Sequence, residues 1–263
     1  MTIAYPRFTT TKIDDGRAIL TGKEDFDEYF HYMYLDYVNT QSERKSVNID
    51  FSNKCLLQCP RCMRQLPEGK KKVKLSHDMS FGDFKKVVQS FKHFHMCGQI
   101  SDPIYHPHLI KFLRHASDND VHIQVHTNGS SKKRDFWEQA FSIKYPIRWL
   151  FGIDGLDQET VNLHRIGQNF KSAFKAMLLG SRSHHKIVWQ FIPFKHNQHQ
   201  IDRAVQIARK YNIEFMLLKS NRWDRIKIIV NNKFVIPDWL QPPDDPNLFV
   251  EQRHALIKKE VRV

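Results

Sequence analysis

Cys55, Cys59 and Cys62 stand in the order Cys55-Leu-Leu-Gln-Cys59-Pro-Arg-Cys62, three of the chain's four cysteines within eight residues. Three thiolates on one loop can wrap an iron–sulfur cubane and hold three of its irons, leaving the fourth without a protein ligand. An open metal position marks a reactive site rather than a structural one. The spacing also admits a zinc knuckle, with Cys97 or one of the 15 histidines as fourth ligand. A tight cysteine cluster in a chain of this size points to a metal in a reducing compartment, not to a disulfide scaffold.

The elements that must position this loop follow from apolar periodicity. Residues 46–51 (SVNIDF) alternate apolar and polar, as a strand does, and the cysteines follow directly. Further strands are predicted at 95–100, 121–126, 148–153, 187–191 and 213–218, and helices at 80–94, 108–117, 133–141, 170–181 and 201–211. Strand–helix alternation with short connections implies βαβ units and a parallel sheet. Right-handed crossovers then put every loop that follows a strand at one rim, where functional residues should gather. Residues 70–74 (KKKVK) read as an exposed basic loop. Residues 1–23 are polar and carry few signals, and residues 24–38 have aromatics at helical spacing. A hairpin is expected across Asn231-Asn232, from 227–230 to 233–236, then a Pro- and Asp-rich loop and a last short helix. The domain boundaries expected are an N-terminal extension (1–45), a core (46–220) and a C-terminal appendage (221–263).

Composition bounds the function. The chain has 263 residues, 41% of them apolar, with 19 Phe, 8 Tyr and 5 Trp, so it can build a sizeable core and is not a disordered chain. Lys and Arg number 41 against 28 Asp and Glu, a net +13. That is either a solvated basic surface or a face for an anionic partner such as a nucleic acid, a nucleotide or an acidic peptide. The N-terminal stretch lacks the apolar segment of a secretory signal, and no apolar run approaches the ~18–20 residues of a membrane span. A cytoplasmic protein without a membrane partner is expected.

With the cysteine motif, four further segments resemble the radical S-adenosylmethionine superfamily, and most of all its peptide-modifying and molybdenum-cofactor branch. Gly98-Gln-Ile-Ser101-Asp102-Pro103, followed by His106-Pro107, is similar to the family's Gly-Gly-Glu-Pro segment. Thr127-Asn128-Gly129 is similar to the end of its third strand, and Phe151-Gly152-Ile153-Asp154-Gly155 with Arg165 to its Ser-Ile-Asp-Gly motif and trailing arginine. The segment of residues 190–197, ending in Asn197, resembles its fifth strand. The stretch at 221–224 and the short tail resemble small stand-alone members, phage-encoded ones included.

The resemblance implies an α/β fold, a partial (β/α)6 barrel with an N-terminal helical extension and a short C-terminal appendage. It implies a 4Fe–4S cluster on Cys55, Cys59 and Cys62, and S-adenosylmethionine chelated to the open iron. One-electron reduction would cleave that cofactor to a 5′-deoxyadenosyl radical, which takes hydrogen from a substrate. Ser101 and Asp102 would meet the methionine ammonium, which needs acceptors where it is desolvated. Arg165 would pair with the carboxylate, a geometry suited to a planar guanidinium. Asn128, Asp154 and Asn197 would lie near the cofactor. The partners implied are an external flavodoxin- or ferredoxin-like electron donor and a peptide or protein substrate, or an anionic one such as a nucleotide or nucleic acid. Two departures stand out. Gly152 replaces a serine, so a hydroxyl contact to the ribose is lost, and Arg61 replaces an aromatic next to the adenine. No cysteine follows Cys97, so no auxiliary cluster is expected, and Cys97 is either a buried strand residue or a hydrogen-atom donor. The competing assignment is a zinc-stabilised, basic nucleic-acid-binding module without catalysis.

Overall fold

The computed structural model describes residues 9–14, 17–21, 46–60, 62–97, 100–218, 228–230, 233–235 and 240–245. Strands β1 (Thr9–Asp14) and β2 (Arg17–Thr21) pair antiparallel as a hairpin within the polar segment that carries few sequence signals. Its sequence signal is the Asp15-Gly16 pair between them, a frequent two-residue hairpin connection. The helices expected at 24–38 and at the C-terminus, Arg61, and Gly98 and Gln99 of the second motif lie outside the described residues.

The core is one parallel sheet of six strands. These are β3 (Ser46–Asn48), β4 (His93–Met96), β5 (His122–Thr127), β6 (Ile147–Gly152), β7 (Lys186–Phe191) and β8 (Glu214–Leu217), paired strictly in chain order. The helices between them are α1 (Pro67–Leu75), α2 (Phe81–Ser90), α3 (Leu109–Ser117), α4 (Arg134–Phe141), α5 (Gln158–His164), α6 (Phe170–Gly180) and α7 (Ile201–Lys210). Sequential order with helical crossovers is the winding of a barrel, and the fold is a partial (β/α)6 barrel. Beyond it, β9 (Ile228–Val230) and β10 (Lys233–Val235) form the expected hairpin. Among the described residues no helix is long and apolar enough to cross a membrane.

The two faces of the sheet differ. Phe94, Val125, Trp149, Phe151, Trp189, Phe191 and Leu217 are buried in one core cluster with the helices, and Trp137 of α4 packs edge-on against Trp149. The alternate residues, His95, Gln124, His126, Arg148 and Gln190, must therefore point into the barrel, because strand side chains alternate. Barrel interiors are usually filled by branched aliphatics; here the aliphatic part is small, Leu150, Val188, Met216 and Leu218. Gln124 Nε2 donates to His126 Nε2 (2.8 Å) and its oxygen accepts from Arg148 Nη1 (3.3 Å), while Arg148 Nη2 bonds Glu214 at 2.7 Å. Burial, with His95 and Arg148 adding their charge, depresses the His126 pKa to about 3, so its imidazole is neutral.

Several elements differ from expectation. Residues 70–74 lie in a helix, α1, not a loop. Pro67 begins it where its missing N–H costs nothing, Glu68 occupies the first turn, and Lys72 and Lys74 occupy the last, matching the helix dipole. The helix predicted to run to residue 94 stops at Ser90, where Phe91 turns extended, and β4 accordingly starts two residues before its predicted position. The first strand ends at Asn48, although the Ile49 N–H still bonds the His95 carbonyl (3.0 Å). Helix α5 was not foreseen, yet its signal is present: the Asp157 side chain caps it by accepting from the Thr160 N–H.

Candidate active site

The cysteine loop leaves the C-terminal end of β3 and is fastened on both flanks. The Asp102 N–H bonds the Lys54 carbonyl (2.9 Å), and the Gln58 N–H bonds the Ile166 carbonyl (2.9 Å). Arg64 donates to the carbonyls of Asn53 (2.6 Å) and Ile100 (2.7 Å), and the Cys62 N–H closes a turn on the Cys59 carbonyl (3.1 Å). Helix α1 grows directly out of this loop. Gly69 lies so close to the Met63 carbonyl that a Cβ there would collide with it, so only glycine fits where α1 leaves the loop. All four cysteines are free thiols of intermediate exposure.

Asp102, after β4, is buried, and its carboxylate faces the end of β5. Oδ2 accepts from the Asn128 N–H (2.7 Å) and the Thr127 hydroxyl (3.1 Å), and Oδ1 from the Ile104 N–H (3.1 Å). Burial wins over these bonds and raises its pKa to about 6. Ser101, beside it, turns its hydroxyl to Asp50 (2.7 Å). Asn128 is buried, with its amide nitrogen 3.9 Å from the Cys55 sulfur.

Asp154, after β6, is fully buried. Oδ2 takes the His164 Nδ1 proton and the Arg165 Nε proton, both at 2.7 Å, and Oδ1 accepts from the Ile192 N–H (2.8 Å). Burial alone would raise its pKa; the Arg165 charge and the His164 bond outweigh it and bring it down to about 2. Arg165 lies just beyond α5, and burial opposes its charge, but Asp154, Cys59 and Asp102 together hold its pKa above the ordinary value. Its guanidinium lies flat over Gly152, where a Cβ would come within 2.6 Å of Nη2. Nη1 donates to no acceptor among the described residues.

The structure thus gathers Cys55, Cys59, Asp102, Asn128, Asp154 and Arg165 into one connected group at the C-terminal ends of the strands. Asn197 is attached through its backbone partners: its Nδ2 donates to the Asp154 carbonyl (2.9 Å) and the Ile192 carbonyl (3.0 Å), and its Oδ1 accepts from the Phe194 N–H (2.6 Å). Those bonds use the whole amide, so Asn197 ties the loop after β7 to Asp154. Gln168 went unnoticed in the sequence. It is buried and its Nε2 clamps the carbonyls of Asn128 (2.5 Å) and Gly152 (2.8 Å), joining the ends of β5 and β6. No local pattern marks such a residue. A cavity of about 630 Å³ is lined by Phe81 of α2, Lys111 and Arg114 of α3 and Phe136 of α4, and none of the site residues above is among its lining.

Cys55, Cys59 and Cys62 are the thiol donors that the expected cluster would take. Burial, Asp102 and the neighbouring cysteines push the Cys55 thiol up to about 12, so it is a neutral thiol in this structure. Among the described residues no three His, Cys, Asp or Glu side chains converge as ligands of a single metal ion. A cubane takes its thiolates on separate irons, so three cysteines spread along a loop can still serve it.

No protein-family model matches the sequence, and no curated protein does. Solved structures share the fold. Streptococcus suis SuiB bound to precursor peptide SuiA superposes with a TM-score of 0.61 at 13% identity, over 94% of this chain and 55% of that one. SuiB bound to S-adenosylmethionine gives 0.59 at 14% identity, over 92% and 55%. Methylornithine synthase (PylB) gives 0.50 at 11% identity, over 67% and 53%. The chain therefore spans about half the length of the proteins it matches. At these identities the likeness establishes a shared fold.

Proposed function

We propose that this chain is a radical S-adenosylmethionine enzyme that carries a 4Fe–4S cluster on Cys55, Cys59 and Cys62 and acts on a peptide or protein substrate. The observation that supports it most is the approach of Asn128 to Cys55, in a group that also holds Arg165 beside Cys59 and Asp102. The loop for the metal and the groups for an amino acid ligand share one rim.

When held by Cys55, Cys59 and Cys62, the cluster with S-adenosylmethionine would supply radical hydrogen-abstraction chemistry. The residues of this chain bind and orient. Arg165, held by Asp154 and unable to lose its proton, offers Nη1 to a carboxylate. Asp102 holds the Asn128 backbone, and so the end of β5, against the cysteine loop. The Ser101 and Asp102 backbone and the Asp102 charge supply acceptors for an ammonium. SuiB, which shares the fold, has been solved with both a precursor peptide and S-adenosylmethionine, which supports these two ligand classes here. A nucleotide or nucleic acid substrate is the second assignment, supported by the net charge of +13.

The test is anaerobic reconstitution with iron and sulfide, followed by EPR of the reduced protein with and without S-adenosylmethionine and assay of 5′-deoxyadenosine. A cluster signal that shifts with the cofactor, and is lost when Cys55, Cys59 or Cys62 is changed to Ala, is the expected result. One tightly bound zinc and no iron under the same conditions would refute the assignment.

A further inference from the structure

We infer that the groove along the outer side of α3, walled by α2 and α4, docks an acidic segment of the peptide substrate, apart from the residue that reacts. The inference rests on the peptide reading proposed above and names the part of the substrate that this chain recognises.

The groove is the cavity of about 630 Å³ described above, a volume usual for ligand sites. Its lining takes Pro107, Lys111, Arg114 and Asp118 from the start of α3 and from its successive turns, so it follows the helix from end to end. Leu109, Phe112, Leu113 and Ala116 of the same helix are buried in the core, so the groove lies on the face turned away from the sheet. Nine residues of helix measure about 13 Å, room for about four residues of extended peptide. Phe81, Ile110 and Phe136 supply apolar surface, and all three are only partly buried against the core.

The cations of the groove are held in place but not neutralised. Lys111 Nζ lies 4.0 Å from the centroid of the Phe81 ring, and Lys85 Nζ lies 5.6 Å from it. Lys132 Nζ lies 4.9 Å from the centroid of Phe136. A ring face orients an ammonium without removing its charge. Among the described residues no carboxylate forms an ion pair with Lys85, Lys111, Arg114 or Lys132. Their neighbours Lys86 and Arg134 are paired, with Asp83 (3.0 Å) and Glu138 (2.6 Å). Unpaired cations set over an apolar floor complement a segment that carries both carboxylates and apolar side chains.

The order of charges favours a peptide over a nucleic acid. An extended peptide alternates its side chains, so carboxylates can meet Lys111 and Arg114 while apolar residues settle on Phe81 and Phe136. A phosphodiester chain carries a charge at every link and would meet the Asp118 carboxylate at the far end. The near end of the groove adjoins the site. Pro107 follows His106, whose Nδ1 accepts from the His108 N–H (3.1 Å) and whose Nε2 donates to the Met79 carbonyl (3.0 Å). Tyr105, just before it, donates to Oδ1 of Asn128 (3.4 Å), the residue that approaches Cys55. A segment held in the groove thus keeps the rest of the substrate beside the rim at high local concentration.

The probe is a fluorescein-labelled peptide of alternating Glu and Leu that ends in Phe, and its binding to the full chain is followed by fluorescence anisotropy. The wild type binds it, and K111E/R114E binds at least about tenfold more weakly. The control K70E/K71E reverses as many charges on α1, outside the groove, and should stay within about twofold of the wild type. If K111E/R114E does not fold, K111Q/R114Q against K70Q/K71Q makes the same comparison. No binding by the wild type, or equal weakening by groove and control variants, would overturn the inference. So would an oligothymidylate that binds more tightly and displaces the peptide. The proposed function fails separately, as absence of dithionite-driven S-adenosylmethionine cleavage by the loaded wild type. That cleavage, measured without peptide, should be unchanged in K111E/R114E.

Discussion

The guanidinium of Arg165 occupies the space that a side chain on Gly152 would need: a Cβ on Gly152 would lie 2.6 Å from Nη2 and 2.7 Å from Cζ. Arg165 is also tied to Asp154, two residues after Gly152, so the glycine and the carboxylate together set where the positive charge lies. Glycine at this position thus has a physical reason. The space is filled by an arginine that lies lower on the strand end than a serine would permit.

Gly152→Ala should expel Arg165 from that position. Overpacking of this size costs about 1–3 kcal/mol. Chemical unfolding measures it, and the added penalty should largely vanish when G152A/R165A is compared with R165A, because the clash then has no partner. A penalty that persists unchanged in the double variant would show that Arg165 is not what excludes a side chain.

Asp154→Ala leaves a buried guanidinium without its anion, which costs about 3–5 kcal/mol. Asp154→Asn keeps the shape and should lose less. The carboxyl has its pKa lowered to about 2, so its stabilising contribution is complete above the ordinary carboxylate value and disappears as pH falls through 2. Urea titrations of both variants at neutral pH and at about pH 3 check the ranking.

His126 gives the chain an acid-sensitive barrel interior. It is neutral in the fold, with a pKa of about 3 against an ordinary 6.5. Its contribution is therefore full above pH 6.5 and is lost as the solution acidifies toward pH 3. His95 and Arg148 face it and oppose its protonation, while Gln190 bonds to it. Asp102, raised to about 6, acts in the opposite sense, favouring the fold below its ordinary 3.8 and losing that effect as pH rises through 6. Comparing His126→Gln with wild type across this interval isolates the histidine, and the variant should show the flatter pH dependence.

Gln168→Ala removes the clamp between the Asn128 and Gly152 carbonyls. Two buried acceptors lose a donor, at about 1–3 kcal/mol each where water cannot replace it. The melting temperature should fall, and S-adenosylmethionine affinity should fall with it, because both β5 and β6 ends carry site residues. A lower melting temperature with unchanged affinity would confine Gln168 to stability.

Cys97→Ser should keep a full complement of iron after reconstitution, whereas each of the Ala variants of Cys55, Cys59 and Cys62 should lose it. Iron and sulfide analysis distinguishes the cases. Loss of iron in the Cys97 variant would make it a fourth ligand and remove the open position on the cluster.

The order of strands and helices was legible along the chain because it depends on local periodicity. Strands β5 to β8 and helices α3, α4, α6 and α7 fall within two residues of where apolar spacing places them. The cysteine spacing and its place after a strand are local too, as are the Asp-Gly hairpin signal and the Asp157 cap. A run of lysines is ambiguous, since exposed loops and exposed helix faces share that composition, and the α1 assignment waited on Pro67 and Glu68. What the tertiary structure alone decided are the relations between distant residues. The Asp102 carboxylate turns to the β5 backbone, Arg165 descends onto Gly152, and Gln168 joins two strand ends. The polar barrel interior belongs with them, since either face of a half-apolar strand can be the inner one until the helices pack. Side-chain direction at a strand end depends on which neighbours fill the space around it, and that is fixed when the sheet closes and the loops compete for buried donors and acceptors.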